Sequence, residues 1–194
     1  SVSGFTANGL VGGETASVLT DVTASVSGKD AGSYDNIATG TDKNYDLSFV
    51  AGSLDIAKAK ATVTANSKAT TYNGANQSVS GFTANGLVGG ETASVLTGVT
   101  ASASGKDAGS YDNIATGTDK NYDLTFVSGA LDIAKAQIDH VTGILANNKF
   151  YDGNTSALLN TGHAEFIGMY AGDELNIATA TGAFLDNTIS KEKI

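Results

Sequence analysis

SVSGFTANGLVGGETASVLT occupies residues 1–20, and the same letters return at residues 78–97. The likeness continues, because residues 1–59 align with residues 78–136 without an insertion or a deletion. The aligned segments differ at five positions, all by substitution: Asp21/Gly98, Val26/Ala103, Ser48/Thr125, Ala51/Ser128 and Ser53/Ala130. A fixed period of 77 residues indicates an array of similar folded modules. A catalytic site seldom produces such a pattern, because its residues are gathered from many parts of a chain.

Local patterns in the complete copy predict short β-strands joined by tight turns. ATVTA at 61–65 alternates and is rich in strand-forming residues. Asn73-Gly74 and Asn85-Gly86 predict type I′ hairpin turns, in which both central residues have positive φ. GGETASVLT at 89–97 predicts a short helix, with Glu91 placed to favour its N-terminus.

The closing segment NYDLTFVSGALDIAKA (121–136) predicts a β-hairpin with one solvated face. Ser128-Gly129 forms the turn, and Asp123 and Asp132 face outward. Strand alternation directs one set of apolar side chains inward: Tyr122, Leu124, Phe126, Leu131 and Ile133.

These patterns predict a mainly β fold, a tandem array of small antiparallel β modules with about four to six strands each and at most one short helix. A β-grasp-like sheet and an immunoglobulin-like sandwich both satisfy the pattern, and ETASVL favours the former. We expect a first repeat at 1–59 that lacks its first strand and a complete second repeat at 60–135. A divergent third module at 136–194 ends before its closing strands; in it, Tyr-Asp-Gly at 151–153 answers Tyr-Asn-Gly at 72–74.

Charge and composition exclude several functions. The chain has a net charge of −9, and its 11 basic residues are all lysines. Nucleic-acid binding needs a basic face, so no nucleic acid is expected as a partner. No apolar run reaches the ~18 residues of a membrane span, so no membrane insertion is expected. Cys and Pro are both absent, which excludes disulfides and stiff polyproline joints between modules.

The sequence does not predict an enzyme. Only His140 and His163 are available as neutral-pH acid–base groups, and neither lies in the repeated text. Without Cys, nucleophilic catalysis would rest on Ser or Thr with a His partner, and the repeats contain no His. We expect no catalytic residue and no bound cofactor.

Calcium is the one metal worth weighing. The loops at 105–124 hold Asp107, Asp112, Asp119 and Asp123, with Asp30, Asp35, Asp42 and Asp46 as counterparts in the first repeat. Ca²⁺ takes six to eight oxygen ligands, often from such loops. The spacing of an EF-hand is missing and lysines lie beside the acids, so turn-forming aspartate is the competing interpretation. Tyr72 and Tyr151 raise a similar choice between stacking on a sugar and packing on the sheet.

The repeated motifs resemble a known family. TYNGANQ, GLVGGETASVL and GSYDNIATGTDKNYDLTFVSGALDIAKA are similar to the MBG domain of the Tyr-Gly type. NKFYDGNTSALL and AGDELNIATATGAF resemble the YDG domain that often accompanies it. Both occur in filamentous-haemagglutinin-like adhesins and other large extracellular proteins of Gram-negative bacteria. The resemblance implies a structural stalk of a secreted or cell-surface adhesin or matrix protein, located outside the cell, and it supplies no catalytic residues.

Partners follow from the modular plan. Each module is expected to contact its neighbours in the same chain, while a glycan or host ligand would bind elsewhere in the full protein. Alternatively, the modules themselves bind glycan or calcium, and repetition gives avidity. The first repeat and the third module each lack strands, so we expect their open sheet edges to be completed by the rest of a longer chain or by neighbouring copies through strand addition.

Overall fold

The computed structural model describes residues 1–188, and strands dominate it. Its only helical segments among these residues are two 3-10 turns, Ala16–Val18 and Ala93–Val95. The predicted mainly β fold is confirmed. No helix of the described chain is long and apolar enough for a membrane crossing.

The strands fall in three groups along the sequence. The first repeat contains β1 (Val2–Ser3), β2 (Ser25–Val26), β3 (Gly32–Asn36) and β4 (Gly52–Ile56). The second contains β5 (Ala59–Ala65), β6 (Lys68–Thr71), β7 (Gln77–Ser80), β8 (Phe82–Asn85), β9 (Val99–Gly105), β10 (Gly109–Asn113), β11 (Ala115–Gly117), β12 (Tyr122–Val127) and β13 (Gly129–Ala134). The third module contains β14 (His140–Thr142), β15 (Leu145–Ala146), β16 (Ser156–Ala157), β17 (Leu159–Asn160), β18 (Glu165–Ile167) and β19 (Gly182–Ala183).

The described chain divides into two compact units, each made of several segments. The first unit contains residues 1–67, 79–103 and 112–130. The second contains residues 68–78 and 104–111 and the chain from Leu131 onward. The division into modules at 1–59, 60–135 and 136–194 stays a prediction.

The predicted strand at 61–65 is the centre of a sheet in the first unit. β5 pairs antiparallel with β8 and parallel with β12. Because side chains alternate along a strand, Ala61, Val63 and Ala65 all point into one core. Val63 is fully buried there, and Leu96, Val99 and other apolar residues of the repeat surround it.

The predicted hairpin at 121–136 is wrong in its pairing. β12 and β13 belong to different sheets, and each pairs parallel with a strand from the start of the repeat: β12 with β5, and β13 with β6. The chain passes from β5 to β6 through Asn66 and Ser67, and from β12 to β13 through Ser128. Asn113 is fully buried. Its Nδ2 donates at 2.8 Å to the carbonyl oxygen of Asn66, in the connection between β5 and β6.

The predicted faces of these strands are correct at most positions. Tyr122, Leu131 and Ile133 are buried, and Asp123 and Asp132 are exposed. The exception is Phe126, which is 37% exposed although it was predicted to face inward. It is the fifth of the six residues of β12, and Val127 beside it is exposed as well.

The predicted type I′ turns are also wrong. Among residues 1–188, every residue with positive φ is a glycine, so Asn73 and Asn85 cannot occupy the first position of such a turn. In each pair only the glycine has positive φ, 75° at Gly74 and 86° at Gly86. The Asn73 side chain instead accepts the backbone N–H of Ala75 at 3.0 Å, an Asx turn that ends β6 without pairing it to β7.

The short helix predicted at 89–97 is reduced to one 3-10 turn. Thr92 precedes the turn without a side-chain cap, and no acidic residue lies in its first turn. The role predicted for Glu91 at a helix N-terminus is therefore wrong. Its carboxylate accepts the hydroxyl of the buried Tyr122 at 2.5 Å, which ties the loop to β12.

Residues 1–59 have nearly the same sequence as residues 78–136 but form fewer strands. Residues 5–8 are the counterpart of β8 and residues 45–50 the counterpart of β12, yet neither segment forms a strand. In the second repeat both of these strands pair with β5. The counterpart of β5 would fall before Ser1. In the described chain neither segment has a strand in the position of β5 to pair with.

The third module is a set of three two-stranded sheets: β14 with β18, β15 with β17, and β16 with β19, all antiparallel. Large apolar side chains remain exposed in it, including Phe150 at 97% and Leu185 at 83%. In the described chain the buried apolar side chains all lie at or before Ile133. The third module therefore has a thinner core than the second repeat.

Candidate interface between repeats

The four candidate calcium aspartates have different surroundings and are not gathered around one site. Asp112 and Asp123 are exposed on β10 and β12. Asp107 is exposed, and its backbone oxygen accepts the Tyr111 hydroxyl at 3.0 Å. Asp119 is half-buried and uses its carboxylate within its own loop. Across residues 1–188, no group of three or more His, Cys, Asp or Glu side chains is placed to hold a metal ion.

Two of the predicted loops instead contain a turn built by aspartate. Asp119 Oδ1 accepts the backbone N–H groups of Asn121 and Tyr122, at 2.7 and 3.1 Å. Asp42 makes the same bonds to Asn44 and Tyr45 in the first repeat, at 2.7 and 3.1 Å. The turn is thus a property of the repeated sequence. In the second repeat, Lys120 and Asn121 of this turn contact the first repeat.

The second repeat's turn contacts the joint between the repeats. β4 ends at Ile56 and β5 begins at Ala59, so only two residues connect them. The Ala59 N–H donates to the Asn121 carbonyl oxygen at 2.9 Å. The Lys58 ammonium donates to the Asp119 carbonyl oxygen at 2.7 Å. Both bonds hold the connecting residues against the repeat that follows.

The same turn also binds a loop of the first repeat. Asp30 lies in that loop and is half-buried. Its carboxylate accepts the Lys120 ammonium at 2.7 Å and the Asn121 side-chain amide at 3.1 Å. Asn121 Oδ1 in turn accepts the Ala31 N–H at 2.9 Å. These bonds join the loop at 28–33 of one repeat to the turn at 118–121 of the next, within the first compact unit.

Sequence reasoning singled out Asp30 and Asp119 as members of candidate metal loops and missed that they meet at an interface. Lys120, the lysine beside Asp119, argues against calcium in the sequence and does not by itself indicate a contact. The available signal was that both loops recur in both repeats with an acid and a lysine in each. A single repeat does not indicate which loop of its neighbour lies opposite.

The Asp30 contact should be visible in a pH titration. The hydrogen bond from Lys120, with that from Asn121, lowers the pKa of Asp30 below its usual 3.8. A lowered pKa stabilises the folded state above pH 3.8, and this contribution is lost as pH falls through the folded pKa. The side chains of Lys120 and Asp30 are 68% and 39% exposed, so solvent screening keeps the effect of this ion pair on stability small.

We expect Lys120→Gln to raise the pKa of Asp30 toward its usual value, measured by NMR titration of the carboxyl carbon. Lys43→Gln is the matched control, because Lys43 is the counterpart of Lys120 in the first repeat. An Asp30 pKa equal in the parent chain and in Lys120→Gln would contradict the ion pair.

A second contact connects the second repeat to the third module, within the second compact unit. The Tyr72 and Tyr170 rings meet edge to face, with centroids 5.7 Å apart. The Tyr72 hydroxyl donates to Asp173 Oδ1 at 2.5 Å. Tyr72, the aromatic residue of the Tyr-Asn-Gly motif, is thus engaged with protein and does not offer a free ring for a sugar. Tyr151, its counterpart, is 67% exposed.

The Tyr72 contact predicts a tyrosine with a raised pKa, which ionises at higher pH than the others. The hydrogen bond to Asp173, then burial and nearby negative charge, raises the pKa of Tyr72 to about 12. A raised pKa gives stability that is fully present below pH 10 and is lost as pH rises through the folded value. In a titration followed by tyrosinate absorbance, we expect one tyrosine to ionise last and Asp173→Asn to shift it to lower pH. Glu174→Gln, at the exposed neighbouring position, serves as the control.

The two histidines are exposed, His140 on β14 and His163 in a loop.

The exposed Tyr151 lies in a loop in which Lys149 makes several hydrogen bonds. The Lys149 ammonium donates to Asp152 Oδ1 at 2.9 Å and to Asn154 Oδ1 at 2.8 Å. This loop therefore combines exposed aromatic rings, Phe150 and Tyr151, with fixed polar groups.

Comparison with known proteins adds one family. The family model of the MBG domain (YGX type) matches residues 1–55 and 61–132. These two matches follow the two repeats and leave the third module outside. No curated protein and no solved structure matches the chain. Since the model covers more than half of the chain, the protein belongs to the MBG domain (YGX type) family.

Proposed function

We propose that the chain is part of the stalk of a large secreted or cell-surface bacterial adhesin or extracellular matrix protein. The observation that carries the proposal is the joint between the repeats. Only Ala57 and Lys58 separate β4 from β5. Lys58 and Ala59 are hydrogen-bonded to the turn of the second repeat. A joint this short and this well bonded restricts bending between modules.

The pattern of repetition supports the same role. A stalk needs modules that fold and that present compatible ends, and it needs nothing else from each copy. The loop at 28–33 and the turn at 118–121 form such a pair of ends, and the sequences of both recur in each repeat. The acidic net charge of −9 suits a chain kept soluble at high local density outside a cell. The third module resembles the YDG domain, which often accompanies MBG repeats in adhesins of Gram-negative bacteria, and this resemblance also supports the proposed stalk.

Small-angle scattering on lengthened chains tests the stalk. Residues 60–136 would be duplicated once and then twice, so that every added copy is a full period. We expect the maximum dimension to grow by a constant step per copy, at least about 20 Å, the length of a seven-residue strand. A Gly-Ser insertion between Ala57 and Lys58 is the control and should broaden the distance distribution. A maximum dimension that does not grow with copy number would refute the stalk.

A second candidate is a ligand-binding module, and the loop at 149–154 is the observation that favours it. Phe150 is 97% and Tyr151 67% exposed, and the polar groups of Asp152 and Asn154 lie in the same loop. Exposed rings beside fixed polar groups are suited to a sugar. Glycan binding is tested by comparing the parent chain with the Phe150→Ala variant on a glycan array. Calcium binding is tested by measuring the melting temperature with and without Ca²⁺. If no glycan binds and the melting temperature does not change, the stalk is the only proposed function that remains.

A further inference from the structure

We propose that Asn73 and Gly74 form a self-modifying site, at which the Asn73 carboxamide is lost as ammonia and an aspartate or isoaspartate residue takes its place. The pair belongs to the Tyr-Asn-Gly motif of the second repeat and lies within the second compact unit. The only reactants are the chain itself and water. The inference concerns the chemistry of one loop, so it does not depend on whether the array is a stalk.

The reaction is an attack of the Gly74 backbone nitrogen on the side-chain carbonyl carbon of Asn73. A bond forms between this nitrogen and Cγ, the proton of the nitrogen is transferred to Nδ2, and the bond between Cγ and Nδ2 breaks to release ammonia. Water then opens the five-membered imide at either of its two carbonyl carbons. Opening at the side-chain carbonyl gives aspartate, and opening at the main-chain carbonyl gives isoaspartate. Neither step oxidises or reduces any atom.

The turn at Asn73 places a hydrogen-bond donor on the oxygen that gains charge in this attack. Asn73 Oδ1 accepts the backbone N–H of Ala75 at 3.0 Å. This bond folds the carboxamide over the Gly74 peptide, and it stabilises the negative charge that Oδ1 acquires as Cγ becomes tetrahedral. In the part of the chain that the structure describes, the Gly74 N–H makes no hydrogen bond, so its nitrogen is available for the attack. Asn73 is exposed, which gives water access to the imide.

Other Asn-Gly pairs of the chain have the glycine without this turn. They lie at 8–9 and 85–86, and among residues 1–188 neither the Asn8 nor the Asn85 side chain accepts such a bond. Asn85 also ends β8, which pairs with β5. Ring closure would first have to turn the peptide group after Asn85 out of its extended strand conformation. We therefore expect Asn73 to react before Asn85.

The third module has the same turn without the glycine. Asn154 Oδ1 accepts the Ser156 N–H at 3.0 Å, but the residue after Asn154 is Thr155. A branched side chain crowds the backbone nitrogen that has to attack, whereas glycine leaves it open. Asn154 therefore separates the effect of the turn from the effect of the glycine.

The two products differ in how they fit the contact with the third module. Aspartate fits the turn, because Asp152 of the Tyr-Asp-Gly motif accepts the Asn154 N–H at 3.1 Å in the same way. Isoaspartate lengthens the main chain by one carbon atom just before Gly74. A Cβ built on Gly74 would be 3.2 Å from the Tyr170 Cβ, so the two residues are close neighbours. Isoaspartate would therefore displace Gly74 and loosen the contact between the Tyr72 and Tyr170 rings.

The test incubates the whole chain in mildly alkaline buffer, once folded and once unfolded in urea. Conversion of amide to acid is followed by mass spectrometry after trypsin digestion, which releases residues 69–106 as one peptide that contains both Asn73 and Asn85. In the folded chain we expect Asn73 to convert at least about tenfold faster than Asn85, because a single oxyanion donor commonly contributes more than this to a rate. In urea the two rates should become nearly equal. Asn154 should convert more slowly than Asn73 in both states.

Ala75→Pro removes the N–H on which the turn depends. It should slow conversion at Asn73 by at least about tenfold and leave the rate at Asn85 unchanged. A folded parent chain in which Asn73 stays unconverted overturns the proposal, and so does a ratio of the rates at Asn73 and Asn85 that is the same as in urea. In chains shown by enzymatic methylation to contain isoaspartate, Tyr72 should ionise at lower pH than in Asn73→Asp. Equal titration of the two would refute the loosened contact.

Discussion

We expect Gly129→Ala to lower the free energy of unfolding of the second repeat by about 3 kcal/mol, at the upper end of the range for overpacked cores. The new methyl group would lie 2.5 Å from the carbonyl oxygen of Ala65, the last residue of β5, and 2.3 Å from that of Asn66, which follows it. Backbone atoms in the centre of a sheet cannot move aside as a flexible side chain can. β5 would have to shift away from both β8 and β12, which pair with it.

The measurement should resolve single strands, because a chain of several modules does not unfold in one step. Native-state hydrogen exchange of the β5 amides gives the local free energy of opening. Gly52→Ala is the matched control, because a Cβ built on Gly52, the counterpart of Gly129, would meet only Asn36, at 3.8 Å from its carbonyl oxygen and 4.0 Å from its Cβ. It should change stability by less than about 0.5 kcal/mol, as a substitution at an open surface does. Similar losses of protection in the two variants would show that the two glycines do not differ in surroundings as described.

The second large effect concerns Leu131. It is fully buried on β13, which lies between β10 and β6. Leu131→Ala should lower the free energy of unfolding by about 2–5 kcal/mol, because the side chain is removed from a closed site. Its counterpart Leu54 lies on β4, in a two-stranded sheet with β3, and is only half-buried.

Leu54→Ala should therefore cost clearly less than Leu131→Ala, although the surrounding letters are nearly the same. Hydrogen exchange of the amides of β4 and β13 separates the two effects. Equal costs would mean that the third strand, β6, adds no burial to this leucine.

Strand faces could be predicted from the sequence, because alternation is a local property. Tyr122, Leu131 and Ile133 are buried as expected. Strand partners could not be predicted, because the pattern of a strand does not name its neighbour. Ser128-Gly129 looked like a hairpin turn, but β12 and β13 each pair with a strand about 60 residues earlier.

The repeat shows the same limit without any change of sequence. Phe-Thr-Ala-Asn forms β8 at 82–85 and no strand at 5–8. What differs is β5, which is present beside one copy and not beside the other. Strand formation here depends on a tertiary partner more than on local preference. The interface residues were missed for a related reason: Asp30 and Lys120 are 90 residues apart, and neither loop alone indicates the contact.

The parallel pairing of the first and last strands determines how the second repeat carries a mechanical load. The chain enters the repeat at β5 and leaves it at β13. Tension along the chain pulls β5 toward the start of the chain and β12 toward its end, so the six residue pairs between these two strands are loaded in shear. The four residue pairs between β6 and β13, in the other compact unit, are parallel as well. An antiparallel hairpin at the end of the repeat would peel open one bond at a time, so this arrangement makes the second repeat resistant to stretching along the chain.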